Sequence, residues 1–100
     1  MTQVMIDYQL GPNLFVDYQG EVQGGKPHGY GKARSRNGDL YEGQWLDGKP
    51  EGIGKEYYKD GTLRYEGEYH KGTRHGQGKS YYTNGALGHD GRWDHNQKVK

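Results

Sequence analysis

Tyr41-Glu42-Gly43-Gln44-Trp45 sets the architecture of this chain, because it returns. Tyr65-Glu66-Gly67-Glu68-Tyr69 repeats it, Tyr18-Gln19-Gly20-Glu21-Val22 foreshadows it and His89-Asp90-Gly91-Arg92-Trp93 echoes it. The spacings are 23, 24 and 24 residues. A second element keeps the same phase: Gly29-Tyr30-Gly31-Lys32, Gly52-Ile53-Gly54-Lys55 and Gly76-Gln77-Gly78-Lys79. A fixed period of this length marks stacked supersecondary units.

Within each unit the period is two. Tyr41, Gly43 and Trp45 share one face and Glu42 and Gln44 the other, the pattern of a half-buried strand. A glycine between two rings leaves bare backbone over which a ring from a neighbouring strand can lie flat. Asn37-Gly38, Asp60-Gly61 and Asn84-Gly85 read as two-residue type I′ turns. The opposite connections read as longer loops: Gly25-Lys26-Pro27-His28-Gly29, Gly48-Lys49-Pro50-Glu51-Gly52 and Gly72-Thr73-Arg74-His75-Gly76. Glycine at both ends, with Pro in two of the three, argues against helix.

The expected fold is all-β: a single-layer, twisted antiparallel meander of about eight strands, built from 23–24-residue hairpins. The strands are placed near residues 3–10, 14–23, 30–36, 39–46, 53–59, 62–70, 77–83 and 86–93. One domain spans 1–100: a capping hairpin over 1–17, full repeats at 18–40, 41–64 and 65–88, and a partial repeat with C-terminal cap at 89–100. In the N-terminal hairpin Val4, Ile6, Tyr8 and Leu10 alternate with polar residues and are expected to close one end of the core. Asn96-Gln97-Lys98-Val99-Lys100 abandons the pattern and reads as a frayed end.

Six Leu, two Ile, four Val and one Phe in 100 residues are few for a globular domain. Ten Tyr and two Trp supply apolar area in another form, and the net charge is only +1. Such a chain covers one sheet face with rings but builds no thick two-layer core, so a thin, extended domain is expected. There is no Cys, which removes disulfides and thiolate metal sites and is compatible with a reducing, cytoplasmic compartment. The opening residues lack a basic n-region and a long apolar run, so no signal peptide is expected. Balanced charge gives no electrostatic pull toward nucleic acid or an anionic bilayer.

Tyr-Glu-Gly-x-Trp, the Gly-Lys-x-x-Gly segment and Gly-x-Gly-Lys at this period resemble the MORN (membrane occupation and recognition nexus) repeat. The resemblance covers residues 18–96, and Gly48-Lys49-Pro50-Glu51-Gly52-Ile53-Gly54 carries it best. The first unit departs at Gln19 and Val22, and the last has His89 where the family has Tyr. The resemblance implies a groove-like antiparallel sheet used for interaction or scaffolding, sometimes as a dimer. Lipid association has been proposed for some relatives.

Several features mimic chemistry. Gly-x-Gly recurs without a following helix, so it is no phosphate-cradling fingerprint. His28 and His75 occupy one repeat position and read as turn residues. His70, His89 and His95 lack tight ligand spacing, so no metal site is expected and no cofactor is implied. Glu21, Glu42, Glu66, Glu68 and Asp90 lie opposite the aromatic face, with Lys32, Lys55 and Lys79 in phase on alternate strands. Placing Gln44 opposite Lys55 would give alternating acid and lysine ladders, which set register and keep that face soluble. No pocket for paired catalytic carboxylates is expected, and Ser35 and Ser80 sit at equivalent strand positions; the chain reads as a non-enzyme.

The candidate site is therefore the aromatic face itself: Tyr18, Tyr41, Trp45, Tyr65, Tyr69, His89 and Trp93, with Tyr57, Tyr58, Tyr81 and Tyr82 on alternate strands. Tyr and Trp serve as binding anchors because they combine rigid area with a polar tip. The leading expectation is a protein-binding adaptor, scaffold or inhibitor-like module that holds a partner peptide or helix, or a second copy, in this groove. The alternative is a small-molecule binder, in which the rings sandwich a nucleotide-like or lipid-headgroup ligand and Arg64, Arg74 and Arg92 meet phosphate. Membrane association has weaker support.

Overall fold

The computed structural model describes residues 2–99; Lys100, assigned to the frayed end, lies outside them. The strands are β1 (Thr2–Gly11), β2 (Leu14–Gln23), β3 (Lys26–Ser35), β4 (Leu40–Leu46), β5 (Lys49–Tyr57), β6 (Leu63–His70), β7 (Thr73–Tyr81), β8 (Leu87–Asp94) and β9 (Gln97–Lys98). They form one antiparallel sheet in chain order, with no helix among the described residues. The all-β meander stands, with one strand more than expected: Gln97 and Lys98 pair with Asp94 and Trp93 instead of fraying.

The two kinds of turn exchange roles. At Gly24-Gly25, Asp47-Gly48, Lys71-Gly72 and His95-Asn96 both central residues have positive φ, the signature of two-residue type I′ turns. The segments read as loops are thus strand, and β3, β5 and β7 each begin about four residues earlier than expected. Asn37, Asp60 and Asn84 are absent from the positive-φ positions, where only the following glycines appear. Tyr58 N–H donates to Thr62 O at 2.8 Å and Gly61 N–H to Tyr58 O at 2.9 Å, a three-residue loop closed by a glycine bulge. Asp60 is selected for its carboxylate, which accepts the Thr62 N–H at 2.8 Å. Asn37 and Asn84 do the same for Asp39 and Ala86.

Register runs the repeat straight across the sheet. Gly20, Gly31, Gly43, Gly54, Gly67, Gly78 and Gly91 pair in one unbroken row over β2–β8. Beside it runs Gln19, Lys32, Glu42, Lys55, Glu66, Lys79 and Asp90, the expected acid–lysine ladder with a different registry: Lys55 faces Glu42 and Glu66, not Gln44. Gln44 faces Tyr30 and has another task. Gly52 breaks the pleat with φ of 93°, and Gln44 Oε1 accepts the freed Ile53 N–H at 2.9 Å. Glu21 and Glu68 repeat this with Tyr30 and Gln77, next to Gly29 and Gly76. These bulges bend β3, β5 and β7 at the same height.

On the other face the rings lie on the glycine row. A Cβ at Gly54 would meet Tyr41 Cε1 at 2.5 Å and Cζ at 2.6 Å, so only bare backbone accepts the ring there. Tyr18 covers Gly31 and Tyr65 covers Gly78 in the same way. Each tyrosine then donates to a carbonyl three residues on: Tyr18 to Glu21 O at 2.6 Å, Tyr41 to Gln44 O and Tyr65 to Glu68 O, both at 2.8 Å. The bulges curl the sheet around these rings. Its radius of gyration is 13.1 Å, that of a compact domain of this length. The expected extended shape is replaced by a curled one with extents of 38 × 26 × 24 Å.

The N-terminal alternation slips by one. Asp7 has φ of 58°, and Met5 pairs with Tyr18 while Tyr8 pairs with Val16. The bulge turns Val4 and Ile6 out to 64% and 67% exposure and leaves Met5, Tyr8 and Leu10 to pack on the core. Tyr8 also spans the curl and donates to Gly48 O at 2.9 Å.

Gly54→Ala is expected to cost about 3 kcal/mol, the upper part of the overpacking range, because Tyr41 has no room to move. Gly61→Ala, at φ of 92° with open space around it, costs only about 1–2 kcal/mol of backbone strain. Urea-unfolding midpoints of the two variants check this order; a milder effect at Gly54 contradicts the packing described.

Candidate functional site

The structure brings all seven expected rings into one unbroken chain of edge-to-face contacts. Tyr18 meets Trp45 at 5.1 Å, Trp45 meets Tyr41 at 5.2 Å, Tyr41 meets Tyr69 at 5.0 Å and Tyr69 meets Tyr65 at 5.2 Å. Tyr65 meets Trp93 and Trp93 meets His89, both at 5.3 Å. His89 stands in a tyrosine position and its Nε2 lies 3.3 Å from Arg92 O, copying the tyrosine hydroxyl bond. The indoles donate to the glycine row, Trp45 to Gly31 O and Trp93 to Gly78 O, each at 3.1 Å. Tyr18, Tyr65, Trp45, Trp93, Tyr69 and Tyr41 are between 0% and 9% exposed, and only His89 is half-buried. Burial pushes the Tyr18 and Tyr65 hydroxyls up to about 12. These rings form the floor of the concave face and are satisfied within the sheet.

What lies above that floor was not visible in the pattern. Glu56 stands in the row of Tyr18, Ala33, Tyr41, Tyr65, Ser80 and His89, where β3 and β7 carry small Ala33 and Ser80. Arg74 replaces Pro27 and Pro50, and Tyr69 replaces Trp45 and Trp93. These departures from the repeat meet in space. Arg74 Nε donates to Glu56 Oε2 at 2.9 Å and Nη2 to Oε1 at 2.8 Å, a bidentate pair. Tyr69 OH donates to Oε2 at 2.5 Å. Arg64 completes the set, 3.0 Å from Glu56 Oε1 and 2.8 Å from Asp39 Oδ2. The ladder skips Arg64, since Glu56 pairs with Tyr65 and Tyr57 with Leu63, and this bulge aims its guanidinium at the ring face.

The network is largely withdrawn from water, with the Glu56 and Arg74 side chains 15% and 19% exposed. Arg74 also stacks on Tyr65 at 4.8 Å and Trp93 at 5.1 Å. Burial alone would raise the Glu56 carboxyl, but the Arg74 hydrogen bonds and charge, with Tyr69 and Arg64, outweigh it and hold the pKa below its usual value. Burial and the same carboxylate push the Tyr69 hydroxyl far up, so it stays a donor.

Beside the network the concave face opens into a cleft of about 610 Å³. Leu10, Leu14, Phe15 and Val16 line one end, Asp39, Glu56, Arg64, Arg74 and Asn96 the other, with Tyr41 and Tyr69 as floor. Leu14 and Phe15 are 43% and 40% exposed, so the apolar end has contact area left over. Of the tyrosines on the alternate strands, Tyr58 and Tyr81 bond within the sheet: Tyr58 OH donates to Tyr81 O at 2.7 Å and Tyr81 OH to Glu66 Oε1 at 3.0 Å. Tyr82 is 56% exposed. His28 and His75 lie in β3 and β7, not in turns.

Glu56→Gln leaves two arginines short of a countercharge and is expected to cost about 2–4 kcal/mol, slightly under the range for a fully buried pair because the group keeps some solvent contact. A carboxyl with a lowered folded pKa contributes stability above its unfolded value of 4.5, lost as pH falls through the folded value. Wild-type stability therefore falls on the acid side of that point, and the limb is shallower in Glu56→Gln. Chemical unfolding of both proteins between neutral and acid pH checks this; parallel limbs contradict it.

The MORN repeat family model matches residues 18–40, 41–63 and 65–87, three consecutive units on the repeat boundaries seen in the fold. No curated protein matches the chain. MORN repeats commonly serve as protein- or membrane-interaction modules and are generally non-catalytic. With three units over most of its length and a single-layer antiparallel meander, the chain belongs to the MORN repeat family.

Proposed function

We propose that this protein is a non-enzymatic, cytoplasmic binding module that holds a partner peptide or helix, or a second copy of itself, in the concave cleft. The observation that carries this reading is the cleft's two-ended lining on a rigid floor: exposed Leu14 and Phe15 at one end, the Arg64–Glu56–Arg74 network at the other. Apolar side chains left exposed in a concavity beside fixed polar groups offer anchor area and orientation together. In this reading Tyr18, Tyr41, Trp45, Tyr65, Tyr69, His89 and Trp93 shape the groove from below, and the rim makes the contacts. The anionic small-molecule alternative draws less support, because Arg64 and Arg74 already spend their donors on Glu56 and Asp39.

Two surface substitutions separate the faces. Leu14→Glu puts a charge into the apolar end, whereas Ile53→Glu does so on the opposite face, where Ile53 is 57% exposed. Affinity capture followed by mass spectrometry, with light scattering for self-association, is expected to show partner or dimer lost at least about tenfold in Leu14→Glu and retained in Ile53→Glu. Loss with Ile53→Glu alone moves binding to the convex face and sinks the proposal.

A further inference from the structure

We propose that His75, Asp94 and His95 form a binding site for a divalent transition-metal ion of the zinc type at the outer end of the last hairpin. Each residue offers one ligand atom, and the three atoms lie within 4.8 Å of one another. His75 Nδ1 is 3.4 Å from Asp94 Oδ1, and His95 Nδ1 is 2.5 Å from the same oxygen. Ligands held tetrahedrally at about 2.0–2.1 Å from zinc stand roughly 3.3 Å apart. The His75–Asp94 edge already has that length, the His95–Asp94 edge reaches it by opening less than about 1 Å, and the two imidazole nitrogens, within 4.8 Å of each other, close by at most about 1.5 Å. Two imidazoles with one carboxylate suit zinc, nickel or copper and not the oxygen-seeking magnesium or calcium.

The backbone holds this geometry without a metal. His75 lies in β7, Asp94 ends β8, and His95 opens the turn that follows. That turn is fixed twice to β7: Asn96 Oδ1 accepts the Arg74 N–H at 2.8 Å, and Asn96 N–H donates to Arg74 O at 3.0 Å. Metal binding would thus bridge two strands through residues already placed, with little ordering left to do.

The repeat shows that this position differs from its equivalents. In the two preceding units the matching side chain accepts the N–H of the turn's first residue. His28 Nδ1 accepts it from Asp47 at 3.5 Å, and Glu51 Oε1 from Lys71 at 2.8 Å. His75 Nδ1 makes no such bond: it is buried, has no hydrogen-bond partner among the described residues, and faces Asp94. Polar atoms withdrawn from water without a partner are few in folded proteins, and a bound cation would satisfy this one. Between the first and second units one His stands beside one carboxylate, His28 with Asp47 at 4.0 Å, and Asp47 takes the repeat position of His95. His70 is near, its ring 5.7 Å from that of His75, but its Nδ1 is held by Glu51 at 3.0 Å. None of the three ligands lines the cleft, and the site stands apart from the proposed function.

Titration of the tag-free full chain with zinc chloride, followed by calorimetry and thermal unfolding, tests the site, with cobalt chloride as an optical probe of coordination. The expected result is one ion per chain, a raised unfolding temperature and visible cobalt absorption. Outer-shell groups alone are worth 10–100-fold in metal affinity, so His75→Ala, Asp94→Asn and His95→Ala should each weaken binding at least about tenfold. His28→Ala should leave it unchanged. His95 is 76% exposed, so His95→Ala tests coordination without disturbing the fold. Absence of zinc stabilisation and cobalt absorption, or binding that survives both histidine substitutions, overturns the proposal.

Discussion

Everything in this molecule depends on a phenol ring lying flat on a neighbouring strand's glycine. A single-layer sheet has no second layer against which to bury side chains, and this chain has too few aliphatic residues to build one. The glycine row solves the problem from within the sheet. Tyr18, Tyr41 and Tyr65 occupy the space that Cβ atoms at Gly31, Gly54 and Gly78 would fill, then bond to carbonyls of their own strands. The rings beside them complete an edge-to-face chain. Each such pair adds about 0.5–1.5 kcal/mol beyond the area it buries, so together they reach several kcal/mol, a large share of a small domain's stability. Substitutions that look conservative in an ordinary sheet, a methyl for a hydrogen, are therefore severe here.

A stack of identical units would present a uniform concave face. This one does not, because the third unit exchanges Pro for Arg74 and Trp for Tyr69 while the second supplies Glu56 and the first Asp39. Buried ion pairs are poor stabilisers, since desolvation cancels most of their attraction. Their value is positional. Glu56 holds Arg74 against Tyr65 and Trp93 and Arg64 against Asp39, fixing a polar end in a groove whose other end is aliphatic. The repeat supplies the scaffold, and the places where it is broken give the groove a direction.

The period alone made most of the fold legible. Tyr41 to Trp45 and its copies predict the strands, their pleat and the seven rings that meet in the structure, because side-chain alternation and a fixed repeat leave few other arrangements. The turns were misread for a definite reason. Asn-Gly fits a type I′ turn, but it fits a three-residue loop equally when Asn is valued for its side-chain acceptor, as the Asn84 bond to Ala86 shows. Lys71-Gly72 and His95-Asn96 do not look like type I′ pairs, yet their φ values place them there. The charged network was beyond sequence reasoning because it needs the bulge that turns Arg64 over. Glu56 is the legible trace of it, a carboxylate at the repeat position where the neighbouring units carry Ala33 and Ser80. Burial of the rings was underestimated because the curl produced by Gly29, Gly52 and Gly76 is a property of three bent strands together and of none singly.

Hydrogen exchange at the Trp45 and Trp93 indoles tests the ring-on-glycine packing most directly, because each Nε1–H is bonded to a carbonyl of the glycine row. Followed by NMR under native conditions, both indole protons should exchange only through global unfolding, with the same free energy as the most protected amides of β4–β7. Exchange of either indole at the rate of a solvent-exposed tryptophan would contradict the account.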